Sequence, residues 1–438
     1  MSAAPAQSPR QQRLAARREA TRARTATLTL PASVGWLARA RAAAVERLNT
    51  LCLPEKRDEY WRYTDPAALI APTAAPVEVF EIRDESVVFG AVERLKLVFV
   101  DGVFDAAASD PLEGEGIEID RLATLSADIH WAQDLYGALE AEGQTPVARP
   151  LAALNTATAT DGALIRVTGV VTRPVSIVYR RSRADADTTL HHVIRVEKDA
   201  ELTLLENGPG AARSSVVTEI DLADGATLHH VRTMGRDHGR VGITHMFARL
   251  GAGARLKSFT LSVNGRLVRN EAVVWLNGKG GSAHVAGAAM GDGAFHHDDT
   301  VFVTHAAPDC ESRQVFKKVL RNGAVGVFQG KILVEQPAQL TDGYQISQSL
   351  LLDERSQFLA KPELEIYADD VKCSHGSTSG EIDPDHLFYL RARGVPEDEA
   401  KLMLVLAFLA ETLDEIARED LADDMRERLR GWLQRHSD

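Results

Sequence analysis

The sequence predicts a mainly β protein whose core, residues 151–382, is a β-helix. Between about 150 and 380, short alternating apolar runs such as 202–205 are separated by Gly, Asn and Asp, which indicates strands and turns. A turn-and-strand unit also recurs there, and its marker residues are Ala200, Ala226 and Ala254, with a weaker echo at Ser282. The alanine spacings of 26 and 28 residues lie within the range of about 20 to 50 residues that is typical of solenoids, whose coils stack on one another.

A sandwich of antiparallel strands is the alternative fold for the same region. It accounts for the frequent turns equally well. It gives no reason, however, for one small-residue corner to return at a nearly constant spacing. The residues alone therefore favour the β-helix and leave the sandwich open.

Residues 1–30 are predicted to be a flexible, Arg-rich extension. The first 25 residues contain six arginines and a single acid, Glu19, and they lack the apolar run of a secretory signal. An Arg-rich, acid-poor composition is also found in organellar transit peptides. We therefore expect a cytoplasmic protein, with an organellar location as the alternative.

Residues 31–150 are predicted to form a mixed, partly helical N-terminal region. A helix is expected from Ser33 to about Leu53, because apolar side chains recur there at spacings of three or four. The aromatic run at 58–65 is interpreted as a local packing anchor. The rest of the region is expected to contain a strand at 96–100, a turn at 101–102 and a helix near 130–141.

Residues 383–438 are predicted to be helical. Asp383 and Pro384 suit the start of a first helix, and Gly394 suits its end. A second helix runs from Pro396 to about Ala417 and has one broad apolar face, and a third follows Asp420. A short helical hairpin cannot bury both of its sides on itself, so this face is a candidate docking surface. Its leucines are Leu402, Leu406, Leu409 and Leu413.

The composition excludes several classes of protein. The chain has 438 residues and a formal net charge of -12, which argues against nucleic acid as the main partner. No run of about 18 uncharged apolar residues occurs that could span a bilayer. There is no Walker A sequence, no GxGxxG after a strand, no HExxH and no GxSxG, which argues against an ATPase or a dehydrogenase acting alone.

The three cysteines, Cys52, Cys310 and Cys373, are scattered and form no CxxC pair. Their number and spacing fit a reducing compartment and exclude a cluster held entirely by cysteines of this chain.

The sharpest candidate site is the segment 371–380, which contains Cys373 and His375. On a strand these residues are i and i+2, so the thiol and the imidazole share a face with their backbones about 7 Å apart. Both groups are good ligands for iron or zinc. Two ligands do not complete a site, so the others would come from another chain or from small molecules.

Histidines also occur in adjacent pairs at 191–192, 229–230 and 296–297. Neighbouring residues of a strand point to opposite faces, so a pair alone is not a chelating unit. The tetrad His296–Asp299 is the most metal-like of these groups, and we expect it in a polar turn.

Several segments form longer motifs. They are 305–320, 330–335, 361–366, 371–383 and 387–394, together with Glu59–Thr64 near the N-terminus. These motifs resemble those of the SufB/SufD family of iron-sulfur cluster assembly proteins. Within this family, Cys-Ser-His-Gly at 373–376 and the short N-terminal helical region are similar to the SufD branch. A SufB-like main scaffold is the alternative.

The resemblance implies a right-handed parallel β-helix flanked by helical regions. It implies a non-catalytic scaffold subunit in a complex with SufB and two copies of the ATPase SufC, with the C-terminal helices contacting SufC. It further implies that His375 lies at the SufB interface, where a nascent cluster is held together with a SufB cysteine, whereas the role of Cys373 is less certain. No cofactor is expected to stay bound to the isolated chain. A flavin in the complex and a homodimer of the chain alone stay open.

Two readings outside the family also stay open. One is a β-helix protein that binds or cleaves carbohydrate, with Asp298 and Asp299 in a surface groove; the lack of a secretory signal weakens it. The other is a stand-alone metalloenzyme, which would need a more complete ligand set than Cys373 and His375.

Overall fold

The structure is a computed structural model that describes residues 8–33, 35–79, 87–126, 129–208, 210–235 and 237–435. Its centre is a parallel β-helix in which the chain passes alternately through two sheets of ten strands each. Helices precede and follow this core in the chain. The predicted class, a mainly β protein with a β-helix flanked by helical regions, is therefore confirmed.

The helices are α1 (Pro9–Ala26), α2 (Gly35–Leu51), α3 (Ala67–Ile70), α4 (Ala138–Glu142), α5 (Pro150–Thr158), α6 (Pro384–Ala392), α7 (Glu397–Leu413) and α8 (Glu419–Arg435). The strands are β1 (Leu95–Val100), β2 (Val103–Phe104), β3 (Glu113–Gly114), β4 (Ile117–Arg121), β5 (Ala163–Val167), β6 (Val175–Arg180), β7 (Asp187–Val196), β8 (Glu201–Asn207), β9 (Arg213–Leu222), β10 (Thr227–Met234), β11 (Val241–Leu250), β12 (Arg255–Val263), β13 (Leu267–Leu276), β14 (Ser282–Asp292), β15 (His296–His305), β16 (Glu311–Arg321), β17 (Val325–Val334), β18 (Thr341–Leu351), β19 (Gln357–Ile366) and β20 (Val371–Gly380).

From β6 onward, successive strands belong alternately to two sheets, A and B. Sheet A has the spatial order β2-β1-β6-β8-β10-β12-β14-β16-β18-β20, and sheet B has the order β19-β17-β15-β13-β11-β9-β7-β5-β4-β3. Among the described strands, antiparallel pairs occur only between β1 and β2, β3 and β4, and β4 and β5. All the pairs that build the coils are parallel, so the antiparallel sandwich is excluded.

One corner of the coil explains the alanine repeat. Ala200, Ala226 and Ala254 precede successive strands of sheet A, and the carbonyl of each accepts a hydrogen bond from the next coil, at 2.9 Å for Ala200 and 2.8 Å for Ala226. The residue before each alanine has a positive φ, which turns the chain sharply from sheet B into sheet A. These residues are Asp199 (58°), Gly225 (71°) and Gly253 (64°). A small side chain at the corner lets the coils stack closely.

The fourth corner, which the sequence places at Ser282, lies one residue earlier in the structure. Ser282 pairs with Arg255, the first residue of β12, so it belongs to the strand and not to the corner. The corner position in that coil is Gly281, and in the next coil it is Cys310, which is buried.

The N-terminal region packs on the outer face of sheet B. Tyr60 and Trp61 are buried; the Tyr60 ring lies edge-on to Phe302 of β15 with centroids 5.1 Å apart, and the guanidinium of Arg269 lies 4.2 Å from the Trp61 ring centroid. Thr64 Oγ1 donates a hydrogen bond to Asp298 at 2.6 Å. The aromatic run is therefore a packing anchor, as the sequence predicts.

Three boundaries differ from the sequence prediction. Residues 9–26, predicted to be flexible, form α1, whose Arg17 pairs with Asp58 at 2.6 Å. The strand predicted at 96–100 is confirmed as β1, but it belongs to the core and not to a separate N-terminal region, because it pairs in parallel with β6. The start of the predicted core at 151 is instead helix α5, and the first strand after this helix begins at Ala163.

The C-terminal helices α7 and α8 pack on the outer face of sheet A. Leu409 and Leu413 are buried there in a cluster with sheet residues such as Phe259 and Val315. The prediction of a free face formed by four leucines is therefore wrong for Leu409 and Leu413, because sheet A of the same chain covers them. The other two, Leu402 and Leu406, are half-buried. No helix among the described residues is both long and apolar enough to cross a bilayer.

Part of the β-helix interior is polar. His192 is fully buried, and its Nδ1 accepts a hydrogen bond from the Ala163 N–H at 2.9 Å while its Nε2 lies 3.0 Å from the Tyr179 hydroxyl. That hydroxyl donates to Glu206 at 2.7 Å, and Glu206 lies 3.0 Å from His230 Nε2. Burial lowers the pKa of His192 to about 4. The ring is therefore neutral in the folded protein at neutral pH.

The depressed pKa of His192 predicts acid sensitivity. Between pH 6.5 and about 4 the unfolded chain binds the His192 proton more tightly than the folded chain, so stability falls as the pH is lowered through this window and is unaffected above it. This group alone should lower the free energy of unfolding by about 2 kcal/mol between pH 7.5 and pH 5. Denaturant unfolding at the two pH values should show that His192→Gln removes this part of the pH dependence. His386→Gln, which alters an exposed histidine, should leave it unchanged. Equal pH dependence in His192→Gln and wild type would contradict the assignment.

Candidate functional site

The C-terminal end of the β-helix is open. β20 is the last strand of sheet A, and β19 is the last strand of sheet B. Each pairs with a strand of the preceding coil on one side, and no strand in the described part of the chain pairs with its other side. An uncovered strand edge of this kind is a place where another chain can bind.

Cys373 and His375 lie on β20 and share its inward face, as the strand periodicity predicts. In register, Cys373 lies beside Gly343 and His375 beside Gln345, both on β18. A Cβ added at Gly343 would lie 3.2 Å from Cys373 Sγ and 3.5 Å from the Ile332 side chain of the opposite sheet. Gly343 therefore faces the interior. Cys373 and His375 face the same way on β20, the last strand of sheet A.

The His375 side chain is available to a ligand. The residue is exposed, and none of the described residues forms a hydrogen bond with its imidazole. A neutral imidazole offers one nitrogen lone pair to a metal ion. The structure thus presents one nitrogen donor at the open end of the β-helix.

Cys373 is less available than His375. Its side chain is half-buried beside the cluster that contains Ile332 and Val334. Burial raises the pKa of the Cys373 thiol, and the charge of Asp342 adds to this effect, while a hydrogen bond with the Gly343 backbone opposes it. The thiolate is the form that binds metals and attacks sulfur. At neutral pH Cys373 is therefore mainly a protonated thiol.

Hydroxyl groups hold β20 to β18. Ser347 donates to Ser377 at 3.1 Å, and Ser349 donates to Ser379 at 2.8 Å. These side chains lie on the same face as His375. These hydroxyl groups are not among the site residues predicted from the sequence, although the run of serine and threonine after His375 was the available signal.

The tetrad His296–Asp299 is not a chelating group. It lies on strand β15 and not in the predicted turn. His296 and Asp298 face the N-terminal region, where both contact Thr64. His297 and Asp299 face the interior, where both contact the ammonium group of Lys318, at 2.7 and 2.8 Å. The side chains alternate between two faces, so no metal site forms.

The residues proposed for a carbohydrate groove are not on the surface. Asp298 and Asp299 are both buried, and they point to opposite sides of sheet B. The paired histidines 191 and 192 are also buried on opposite faces. His191 Nε2 lies 2.8 Å from the Glu219 carboxylate, so its role is structural.

Glu118, Asp120 and His130 form a cluster of possible ligands whose atoms lie within 4.8 Å of one another. His130 Nδ1 accepts a hydrogen bond from the Ala132 N–H at 3.1 Å, so in the neutral ring Nε2 carries the proton. That proton is directed at Asp120, 3.2 Å away. The imidazole has no free lone pair for a metal ion, and His130 and Asp120 form a hydrogen-bonded pair.

A second exposed surface lies just after β20. Helix α6 begins after only three residues, 381–383, and Asp383 caps it as the sequence predicts, by accepting a hydrogen bond from the Asp385 N–H at 2.8 Å. None of the residues of α6 is buried. Phe388 and Tyr389 are 72% and 56% exposed. Adjacent exposed aromatic side chains are unusual on a surface and are typical of binding sites.

Comparison with known proteins shows the family to which this chain belongs. The family model described as SUF system FeS cluster assembly, SufBD core domain, matches residues 179–408, more than half of the chain. The SufD protein of Escherichia coli is 29% identical over 405 residues, which cover 88% of this chain and 90% of that protein. SufD of Bacillus subtilis is 25% identical over 88% of this chain and 91% of its own length, and the chloroplastic protein ABCI7 of Arabidopsis thaliana is 24% identical over 92% and 87%. The chain therefore belongs to the SufB/SufD family of SUF-system iron-sulfur cluster assembly proteins.

Proposed function

We propose that this chain is a non-catalytic scaffold subunit of a complex in which iron-sulfur clusters are assembled, and that it supplies His375 as a cluster ligand. The observation that carries the proposal is the position of His375, exposed and unpaired among the described residues at the open end of the β-helix. The nascent cluster is the cargo of the complex and not a resident cofactor of this chain.

The open end fits a protein partner. β20 presents an unpaired backbone edge, and the neighbouring strand β19 ends in Ile366, which is 39% exposed and followed by Tyr367 at 60%. Edges of solenoids need a cap, and a second β-helix of the same family supplies one by continuing the stack. The partner we propose is a SufB-like chain.

The ligand set supports a shared site. His375 offers one nitrogen and Cys373 one protonated thiol, which is fewer than the four ligands that clusters usually have. Among the described residues, no other histidine, cysteine or carboxylate joins these two in a metal-ligating group. The missing ligands then come from the partner chain, and Cys373 is an auxiliary group beside the site.

We further propose that a SufC-like ATPase binds at α6. The four leucines first considered for this role are buried or half-buried against sheet A. Phe388 and Tyr389 are exposed instead, and only residues 381–383 separate their helix from the strand that carries His375. Movement of α6 by the ATPase would therefore pull directly on β20. We propose a cytoplasmic location for the complex.

Replacement of His375 tests the ligand role. In complexes co-expressed with SufB-like and SufC-like partners and purified without oxygen, His375→Ala should lower the iron and sulfide content roughly tenfold or more, because a ligand is lost. Complex assembly should be unchanged. Ser374→Ala, one residue away on the opposite face of β20, should retain wild-type content, and Cys373→Ala should have a smaller effect than His375→Ala. Wild-type iron content in His375→Ala would refute the ligand role.

Replacement of the exposed aromatic residues tests the α6 surface. Phe388→Asp and Tyr389→Asp should each weaken binding of the SufC-like ATPase by about 2 kcal/mol, roughly 30-fold, if these rings are central contacts. Titration calorimetry with the purified ATPase measures this directly. Val170→Asp alters an equally exposed apolar side chain at the far end of the core and should bind normally. Unchanged affinity in both α6 variants would rule out this docking surface.

A further inference from the structure

His375 is the last member of a column of inward-facing residues in sheet A. Gln314 of β16 pairs in register with Gln345 of β18, which pairs in register with His375 of β20. Hydrogen-bonded strands lie about 4.8 Å apart, so side chains in such a column are in contact range of one another. One coil before Gln314, the same column holds Val285. The two amide side chains are thus placed in the two coils next to His375.

The amide nitrogen of Gln345 has a hydrogen-bond partner, but its amide oxygen has none among the described residues. Its Nε2 donates a hydrogen bond to Gln314 Oε1 at 2.8 Å. Both glutamines are fully buried. Gln345 Oε1 is buried and has no hydrogen-bond partner among the described residues. A buried carbonyl without a donor is unfavourable, so this oxygen requires an N–H or O–H group nearby.

The opposite sheet leaves room for this amide. A Cβ added at Gly330 of β17 would lie 2.3 Å from Gln345 Nε2 and 2.6 Å from its Cδ. The amide therefore occupies the space that a side chain at position 330 would fill. Its orientation depends on this glycine as well as on the hydrogen bond to Gln314.

We propose that Gln345 is a positioning residue for His375. The two groups are neighbours in register but form no hydrogen bond in the structure, and a change of the His375 rotamer lets the ring N–H nearer to the interior donate to this oxygen. This bond selects one tautomer and directs the other ring nitrogen, with its lone pair, out of the open end. This proposal rests on the proposed role of His375 as a cluster ligand and identifies Gln345 as the group that orients the His375 ring.

The tautomer of His375 can be measured without any metal. Long-range ¹H–¹⁵N NMR of the isolated, histidine-labelled chain, with the signal assigned by His375→Ala, should show one dominant tautomer in the wild type. Gln345→Met removes the acceptor at nearly constant volume and should give a mixture of tautomers. Gln345→Glu keeps an acceptor and should restore the wild-type ratio.

Two more variants separate positioning from a general effect on folding. Gly330→Ala leaves Gln345 in place but displaces its amide, so it should change the tautomer ratio as Gln345→Met does. Gln348→Met alters a glutamine on the same strand whose Nε2 donates to Thr378 on the outer face, and it should leave the ratio unchanged. Should Gln345→Met fail to fold, Gly330→Ala and Gln345→Glu carry the test.

Cluster content distinguishes failure of this inference from failure of the proposed function. In the co-expressed complex, Gln345→Met should lower the cluster content, because loss of a group that orients a ligand weakens metal binding roughly 10- to 100-fold. Wild-type content in His375→Ala would refute the proposed function, whatever the NMR result. A wild-type tautomer ratio in Gln345→Met, or an altered ratio with wild-type cluster content, would refute the positioning role while leaving His375 as a ligand.

Discussion

The structure depends on one constraint, the in-register stacking of successive coils. Hydrogen bonds between parallel strands place each inward-facing residue directly beside its counterpart in the next coil, so residues far apart in sequence form columns. In the apolar columns this stacking forms the core. It also brings polar groups together in the interior, where Tyr179 and Glu206 of sheet A and His192 of sheet B form a hydrogen-bonded chain across the coil.

The same constraint explains why the candidate site lies at the end of the core. Inside the stack, an inward-facing group has a neighbour in the coil on each side. In the last coil, no strand of the described residues lies on the outer side of β20, so His375 has Gln345 of β18 as its neighbour on one side and is open on the other. In the function we propose, docking of a second β-helix completes the stack and the ligand set together.

The fold and part of the candidate site can be predicted from patterns that recur along the sequence. The rest depends on contacts between residues far apart in the chain and cannot be predicted in this way. The positive φ and the small corner residue recur along the chain and are visible as a repeat, and strand periodicity places Cys373 and His375 on one face. The column that joins Gln345 to His375 is hidden, because the corners at 200, 226, 254, 281, 310 and 341 are unequally spaced. Helical periodicity likewise reveals the apolar face of α7, but not that sheet A covers Leu409 and Leu413 and leaves Phe388 exposed.

The proposed function requires that a nitrogen of this chain binds the nascent cluster. Pulsed electron paramagnetic resonance on the reduced, cluster-bearing complex tests it directly, with only this subunit labelled with ¹⁵N-histidine. We expect a ¹⁵N hyperfine coupling of a directly bound imidazole, which disappears when the labelled subunit carries His375→Ala. A cluster present at full yield without any ¹⁵N coupling from this chain would show that His375 is not a cluster ligand.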